Sequence, residues 1–480
     1  MTDVLPKPDS AADADPELET LRTNAWCGEP AMGSPGDQSL GWGARRDMPP
    51  IPQRLARAPV PVDLSQWADP RVGWGAVLPM RQGLTNAELA EGVDAPEPIR
   101  ELIKARGNAP VFRYRGLKGG LLTRFYTDGK QPADLNLRGL RGIGPTAVPR
   151  YLLLIGTPEE LPWGLQMRLQ AEAFVGRLDL DPAGLERYVE ALLGEWHGAT
   201  RDVKRPVIWA VDHGHPDITR LMRRTIAERV LAKFKEDNEF DVAKGFFSDV
   251  QATHHDLVQA LGERQPAFVV TSSHGATFPL DQPAAMRAQL GLLVDHQKTL
   301  TDANAVVGAW NARGAIWYAH ACCSAGTEAK SRFEGLVGAD SSLGKTLAAI
   351  SQVGACTAPL PRALLGGKNP LGAFIGHIEP TFDWTLRDPT NGQVTTQHIV
   401  DALYEALHAA DRPPIGKALA GYFRAVAGLL QDYADALDAV DAQESGALQR
   451  ARRARLIAAD CQAMVILGDP TVRLPLPEQN

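Results

Sequence analysis

Short apolar runs and helical periodicity alternate along the chain from about residue 150 onward. Tyr151–Ile155 and residues 173–178 are apolar runs of the length and composition typical of buried strands. Asp181 and Pro182 follow as the N-cap and first residue of a predicted helix. One face of that helix is apolar, since its hydrophobic residues recur at three- and four-residue spacing: Leu185, Tyr188, Val189, Leu192 and Leu193.

The same alternation continues in a second series that starts near Pro206. Its predicted strands are separated by segments of helical periodicity, and residues 399–461 are mostly helical. These strands lie at 207–211, 267–270, 315–319, 372–376 and 463–467. Strands that alternate with helices predict an α/β fold, with a mostly parallel sheet covered on both faces. We place one α/β unit at residues 61–203 and a second at 204–480.

Residues 1–60 differ from the rest of the chain. They are rich in Pro, Gly, Asp and Ala and show little periodicity. Such a composition buries too little apolar surface to offset the entropy of ordering the backbone. We therefore predict an N-terminal extension that is either flexible or draped over the body. A solvated tail and a pro-segment are the two interpretations of its role.

Composition and charge exclude several classes of protein. The 480 residues include 50 Lys and Arg against 57 Asp and Glu, which gives a net charge of −7 and argues against nucleic-acid binding. No window of 18 apolar residues occurs, so no membrane span is predicted. The N-terminus lacks the basic and apolar regions of a signal peptide. Five cysteines without a Cys-x-x-Cys motif favour free thiols in a reducing cytoplasm.

Two predicted strands end in residues that carry chemistry. The run 267–270 leads into His274 and Gly275, and the run 315–319 leads into Cys322 and Cys323. Carboxyl ends of parallel strands meet at one edge of a sheet. A histidine and a cysteine presented there are the parts for thiol nucleophilic catalysis, with the Gly275 N–H as an oxyanion donor. Taken singly, a buried cysteine and a hydrogen-bonded histidine are also ordinary structural residues.

These motifs resemble the caspase–gingipain superfamily of cysteine peptidases. The segment Ser273-His-Gly275 is followed by Tyr318-Ala-His-Ala-Cys-Cys-Ser-Ala-Gly-Thr327, and Ile466-Leu-Gly-Asp-Pro-Thr471 is similar to a closing strand of gingipain-type sequences. The similarity spans roughly residues 150–475. It implies a caspase-like three-layer αβα fold preceded by a degenerate, non-catalytic caspase-like unit. It also implies His274 as general base and acid and Cys322 as nucleophile, with Cys323 as the alternative nucleophile.

The resemblance also implies an acid that orients the imidazole and a pocket for the substrate side chain. Asp212, at the end of the run 207–211, is the candidate orienting residue. Asp217 is the predicted N-cap of the next helix, and it could instead line a pocket for a basic side chain. Asp383 is a second pocket candidate, with Trp384 as its wall. Arg or Lys is therefore the candidate residue before the cleaved bond.

Three other motifs are weak. His213 and His215 beside Asp212 lack an obvious third ligand, so no metal site is predicted. Gly344-Lys-Thr346 resembles the end of a phosphate-binding loop, but its spacing from Gly338 is out of register, so no cofactor is expected. The basic run 450–455 is interpreted as a solvated helix face, and a cleavage site for a basic-specific protease is the alternative.

The leading hypothesis is a cytoplasmic cysteine endopeptidase that acts on protein substrates in a bacterial signalling, defence or cell-death cascade. It would be kept latent by the N-terminal extension or by the loop 330–342, until an activating protease or regulatory partner releases it. Neither nucleic acid nor membrane is an expected partner. A non-catalytic caspase-like interaction scaffold is the alternative, and an ATP-dependent switch is disfavoured by the misregistered loop.

Overall fold

A computed structural model describes residues 20–45, 62–116 and 121–475 of the chain. Its strands, in chain order, are β1 (Leu21–Trp26), β2 (Pro30–Gly33), β3 (Trp74–Pro79), β4 (Val111–Tyr114), β5 (Thr123–Arg124), β6 (Ala133–Asp134), β7 (Tyr151–Ile155), β8 (Phe174–Leu178), β9 (Val207–Ala210), β10 (Phe246–Ser248), β11 (Phe268–Ser272), β12 (His274–Ala276), β13 (Leu293–Val294), β14 (Ile316–His320), β15 (Gly326–Thr327), β16 (Cys356–Thr357), β17 (Ala373–His377) and β18 (Met464–Gly468).

Helices fill most of the connections between these strands. They are α1 (Gln38–Gly43), α2 (Asn86–Glu91), α3 (Glu97–Ala105), α4 (Trp163–Gln170), α5 (Pro182–Leu193), α6 (Ile218–Met222), α7 (Glu228–Glu236), α8 (His254–Arg264), α9 (Pro283–Gln289), α10 (Ala303–Ala309), α11 (Ser342–Val353), α12 (Pro359–Gly366), α13 (Gln397–Asp401), α14 (Ile415–Ala418), α15 (Ala420–Asp441) and α16 (Ala447–Gln462).

One twelve-stranded sheet runs through the molecule, in the order β10-β9-β11-β14-β17-β18-β8-β7-β3-β4-β5-β6. The block β10-β9-β11-β14-β17 is parallel throughout, and so is the block β8-β7-β3-β4. The strand β18 lies between the two blocks and is antiparallel to both of its neighbours. The last of the described strands therefore joins the two series of α/β elements edge to edge.

The sheet is buried on both faces. Leu152 and Leu154 of β7 pack in an apolar cluster with leucines of α4, whereas Tyr151 and Leu153 pack in another cluster with residues of α3 and α5. Alternate residues of a strand point to opposite sides, so helices cover both sides at this strand. The predicted three-layer αβα fold with a mostly parallel sheet is confirmed. The division into units 61–203 and 204–480 stays a prediction.

The elements that were predicted by their apolar runs are present. The strands β7, β8, β9, β11, β14, β17 and β18 lie within a few residues of their predicted positions. The carboxylate of Asp181 accepts a hydrogen bond from the Gly184 N–H at 2.8 Å and so caps α5 as expected. Gly344, Lys345 and Thr346 lie inside α11, away from any strand-to-helix turn.

Residues 20–45, which we call the N-terminal strap, pack on the body rather than hanging free. They form β1, β2 and α1. The strand β1 belongs to a second, four-stranded sheet of order β13-β12-β1-β2. Of the two expectations for the extension, draping holds for these residues, whereas residues 1–19 and 46–60 lie outside the described ranges.

The basic run on α16 corrects one expectation. Arg455 is buried rather than solvated, because its guanidinium lies 4.5 Å from the ring centre of Trp42 in the strap. The indole N–H of Trp42 also donates a hydrogen bond to the Arg332 carbonyl at 2.9 Å. Both contacts fasten the end of the strap to the body. Within the described residues, no helix combines the length and apolarity needed to cross a membrane.

Candidate active site

His274 and Cys322 follow the carboxyl ends of two neighbouring parallel strands. Ser272, the last residue of β11, pairs with His320, the last residue of β14. His274 and Cys322 therefore each lie two residues after this pair of residues, at the ends of neighbouring strands. The predicted juxtaposition of the two strand ends is present in the structure.

The thiols lie in a tight turn after β14. The Ser324 N–H donates to the Ala321 carbonyl at 3.2 Å, which closes the turn around Cys322 and Cys323. Cys323 has a φ of 53°, in the left-handed region that residues with a side chain rarely occupy. Its N–H donates to the Glu379 carbonyl at 3.1 Å, which helps to hold this conformation. Strained backbone of this kind is concentrated at functional sites.

Gly275 packs directly against the turn. A Cβ atom added at this position would overlap the carbonyl oxygen of Cys322 and would come within 3.0 Å of its nitrogen. Only glycine lets the two main chains approach so closely. The main chain of Gly275, the candidate oxyanion donor, therefore lies directly beside the peptide of Cys322.

Asp217 is the acid that contacts His274. Its Oδ2 atom lies 2.8 Å from the histidine Nε2. Asp217 caps α6 as predicted, because its Oδ1 accepts hydrogen bonds from the N–H and the hydroxyl of Thr219. Burial alone would raise the pKa of Asp217, but the bonds from His274 and Thr219 outweigh it and hold that pKa at about 2. The carboxylate is therefore ionised beside the imidazole.

Asp212, the residue that the sequence favoured for this role, is engaged elsewhere. Its carboxylate forms an ion pair with Arg223 at 3.0 Å and accepts the Gly214 N–H at 2.7 Å. Residues 212–217 form a turn before α6, and the turn carries Asp217 rather than Asp212 to the imidazole. The acid that contacts His274 and the cap of α6 are thus one residue, for which the sequence predicted only a cap or a pocket role.

The candidate nucleophile is shielded. Cys322 and Cys323 are both fully buried, and their Sγ atoms lie 3.4 Å apart. Burial, followed by the neighbouring Cys323, raises the pKa of the Cys322 thiol well above its ordinary value. The Nδ1 atom of His274 is also buried and has no hydrogen-bond partner among the described residues. In this conformation the thiol is protonated at neutral pH.

The strap contributes to this shielding, together with residues of α9 and α11. Ala25 of β1 pairs in parallel with Gly275 of β12, and the carbonyl of Trp26 accepts the Thr277 N–H at 2.9 Å. The Trp26 ring lies 5.2 Å from the His274 ring, centre to centre. Ala25 shares an apolar cluster with Cys322 and Cys323. A strand of the chain itself thus occupies the main-chain edge beside the proposed dyad.

The strand β1 also contacts the segment that carries the predicted pocket residues, through a bridge between Thr23 and Phe382. Asn24 exchanges two hydrogen bonds with Thr381, one of them through its side-chain oxygen at 3.1 Å. Arg22 forms an ion pair with the Asp383 carboxylate at 3.4 Å. Trp384 is buried in an apolar cluster that includes Leu21 of the strap. The strand therefore lies between β12 and β2 in its sheet and also contacts residues 381–384.

His213, which the sequence offered only as a weak metal-ligand motif, also lies in this site. Its ring stacks on that of His274 at a centre distance of 5.6 Å, and its Nδ1 lies 3.9 Å from the Asp217 Oδ2. Burial lowers its pKa, so the imidazole is neutral at neutral pH. An open cavity of about 780 Å³ begins here, and its wall includes Trp26, His213 and Asp217. The proximity of His213 and His274 depends on tertiary structure and left no sequence signal.

Comparison with known proteins finds only a weak similarity of fold to two solved structures. No protein-family model matches the chain, and no curated protein matches it. Among solved structures, the chain is similar to the crystal structure of the Arg-specific cysteine proteinase gingipain R, at 12% identity and a TM-score of 0.37. It is also similar to the complex of Porphyromonas gingivalis RgpB pro- and mature domains, at 12% identity and a TM-score of 0.38.

Each match covers 68% of this chain but only 65% and 66% of the two gingipain chains, which is less than two thirds of their length. TM-scores below 0.5 at this identity do not establish membership of a family.

Proposed function

We propose that the protein is a cysteine endopeptidase in which His274 and Cys322 act as a dyad oriented by Asp217. The observation that carries the proposal is the Asp217–His274 contact of 2.8 Å at one strand end, with Gly275 packed on the Cys322 turn at the next. A general base, an acid that fixes its tautomer and a thiol are the parts of nucleophilic acyl transfer.

The proposed reaction uses the two ring nitrogens of His274 differently. Nε2–H donates to Asp217, so the lone pair on Nδ1 takes the proton from the Cys322 thiol. The thiolate attacks the substrate carbonyl carbon, and the N–H groups of Gly275 and Cys322 stabilise the oxyanion. Nδ1–H then protonates the leaving amine as the C–N bond breaks. Water hydrolyses the resulting thioester and restores the thiol, with Cys323 remaining the alternative nucleophile.

We further propose that the described conformation is latent. A buried thiol of raised pKa does not attack peptides, and β1 occupies the edge at which a substrate strand would pair with Gly275. Release of the strap would open both the thiol and that edge. An activating protease or a regulatory partner, a cytoplasmic location and a role in bacterial defence or cell death belong to the same proposal.

A preference for Arg or Lys is supported by Asp383. Its carboxylate is largely buried and is paired with Arg22 of the strap. A guanidinium from the chain itself thus takes the position proposed for a basic substrate side chain. Because Asp217 is hydrogen-bonded to His274, Asp383 is the better candidate for the pocket acid, with Trp384 beside it.

The experiment compares wild-type protein with Cys322→Ala and Cys323→Ala on fluorogenic peptides that end in Arg, Lys, Asp or Asn. Each protein is assayed intact and after limited trypsin nicking. We expect little cleavage by the intact protein and cleavage after Arg or Lys by the nicked one. If cleavage is lost in Cys322→Ala alone, Cys322 is the nucleophile. If cleavage is lost in Cys323→Ala alone, Cys323 is the nucleophile.

A non-catalytic scaffold is the competing function, and the buried, protonated thiol is the observation that favours it. The same assay separates the two functions. If the nicked wild-type protein retains its folded circular-dichroism spectrum and cleaves none of the peptides, the peptidase proposal fails and the scaffold stands.

A further inference from the structure

Two acceptor atoms face each other beside the proposed dyad. The Nε2–H of His213 donates to the Asp295 carbonyl at 3.0 Å, so the Nδ1 of the neutral ring carries a lone pair. That Nδ1 has no hydrogen-bond partner among the described residues. The nearest charged oxygen is Oδ2 of Asp217, 3.9 Å away. A lone pair and a carboxylate oxygen repel each other unless a cation or a hydrogen-bond donor lies between them.

His274 completes the group. Its Nε2 lies 2.8 Å from the same Asp217 oxygen, and one donor atom from each of the three side chains lies within 4.8 Å of the others. All three side chains are more than nine-tenths buried, with 8%, 4% and 0% of their surfaces exposed for His213, Asp217 and His274. We infer that His213, Asp217 and His274 form a divalent-metal site whose occupation silences the proposed dyad.

The geometry suits Zn²⁺ in particular. Two imidazoles and a carboxylate are a ligand set that zinc accepts, whereas magnesium and calcium prefer oxygen. Bonds of about 2.1 Å in a tetrahedral site place donor atoms about 3.4 Å apart. The observed separations of 2.8 and 3.9 Å need to change by less than about 1 Å to meet that distance. The cavity beyond His213 leaves room for a fourth ligand, such as water.

Secondary contacts prepare the ligands for a metal. A metal-bound histidine usually donates its second ring N–H to a carbonyl or carboxylate, as His213 does to Asp295. Asp217 is held by two hydrogen bonds from Thr219. The cavity wall also carries Arg220 and Lys298, whose positive charges weaken cation binding. We therefore expect a regulatory affinity rather than that of a permanent structural site.

Metal binding would silence the dyad through the tautomer of His274. An ion on Nε2 displaces the hydrogen bond to Asp217, and the ring proton moves through solvent to Nδ1. Nδ1 then has no lone pair for the Cys322 proton. This inhibitory role rests on the proposed peptidase function, whereas binding of the ion does not.

The first test measures binding alone, on the full chain, with Zn²⁺ and with Co²⁺ as its spectroscopic substitute. Wild-type protein should bind one equivalent of Co²⁺ with the absorption bands of a tetrahedral site, and Zn²⁺ should displace it. His213→Gln should weaken Zn²⁺ binding by about 10-fold or more. His215→Ala removes an exposed imidazole of the same turn and should bind as wild type does.

The inference is overturned if wild type shows no tetrahedral Co²⁺ bands, or if His213→Gln binds Zn²⁺ as tightly as wild type. Should His213→Gln fail to fold, paramagnetically shifted N–H signals of two histidines in Co²⁺-loaded wild type decide the question. If these shifted histidine signals are absent, the proposed metal site is refuted.

The second test adds Zn²⁺ to the nicked enzyme. Cleavage should fall, should recover with a chelator, and should be less sensitive to Zn²⁺ in His213→Gln than in His215→Ala. Binding without any cleavage activity would refute the peptidase and leave the metal site intact. Equal Zn²⁺ sensitivity of both variants would refute the inhibitory role.

Discussion

Among single residues, Asp217 is central to the proposed chemistry, because its carboxylate lies 2.8 Å from the Nε2 of His274 and favours the tautomer with the proton on that nitrogen. We predict that Asp217→Asn lowers kcat/KM of the nicked enzyme by about 100-fold or more. The amide can donate to Nε2 and so stabilises the opposite tautomer, with Nδ1 protonated. Steady-state kinetics on the preferred peptide measure the effect.

Asp212→Asn is the matched control, since Asp212 also lies in the turn before α6 but contacts Arg223 and Gly214. Its kcat/KM should stay within a few-fold of wild type. A larger loss in Asp212→Asn than in Asp217→Asn would restore Asp212 as the orienting acid.

Gly275 allows a second residue-level prediction. Gly275→Ala forces the main chain away from the Cys322 carbonyl, so we expect about 1–3 kcal/mol of lost stability and about 100-fold lower kcat/KM. Gly428→Ala is the control, because a Cβ there meets nothing within 4 Å inside α15. That change should stabilise the protein by about 0.5–1 kcal/mol. Urea titration of both variants measures the difference, and equal stability would contradict the packing.

Some of these residues could be found from sequence and some could not. His274, Gly275 and Cys322 follow apolar runs whose ends mark the edge of a parallel sheet, so local pattern located them. The choice between Asp212 and Asp217 depends on how the intervening turn folds, because both precede the same helix. His213 comes to His274 only through tertiary packing.

At the scale of elements, the strap is where the structure differs most from local expectation. Its sequence shows little periodicity, yet β1 is ordered because it pairs with β12 and with β2 and also bonds to residues 381–383. Such a strand is stabilised by its partners rather than by its own propensity. The sequence did not predict β3 either. Its apolar run is short and follows a Pro-rich segment, so the local pattern did not indicate a strand.

In the proposed latent form, docking of the strap limits how fast reagents reach the Cys322 thiol. We expect Trp26→Ala to speed alkylation of Cys322, because the indole covers His274 and its loss weakens docking of β1. Each 1.4 kcal/mol of docking energy lost raises the open population about tenfold. Mass spectrometry after brief exposure to iodoacetamide measures the rate at each cysteine.

Cys461 serves as an internal control in the same molecule. Its carbonyl accepts a hydrogen bond from Tyr422, away from the strap, and burial raises its pKa. Its alkylation should not change in Trp26→Ala. A parallel rise at Cys322 and Cys461 would mean general loosening rather than release of β1.

For the whole molecule, Asp469 links the two series of α/β elements. It is fully buried after β18, and its carboxylate accepts from the Trp74 indole at 3.0 Å and pairs with Arg106 at 3.3 Å. We predict that Asp469→Ala costs about 3–5 kcal/mol, because Arg106 would be left buried without its partner. Urea unfolding followed by tryptophan fluorescence and circular dichroism measures the loss.

Both probes should report one coincident transition in wild type, since the sheet is continuous through β18. Asp411→Ala is the control, because its contact with Lys417 is exposed and weak. Two separated transitions in wild type would show that residues 61–203 and 204–480 unfold as independent units.

The covalent attachment of β1 sets a condition on how the site is opened. A strand on the same chain competes at an effective concentration in the millimolar range, whereas a free peptide competes at its own much lower concentration. Peptide substrates therefore do not displace β1 by mass action. In the latent form that we propose, a trigger would have to cut the chain, so that the segment is diluted away, or bind the strap itself more tightly than the body does.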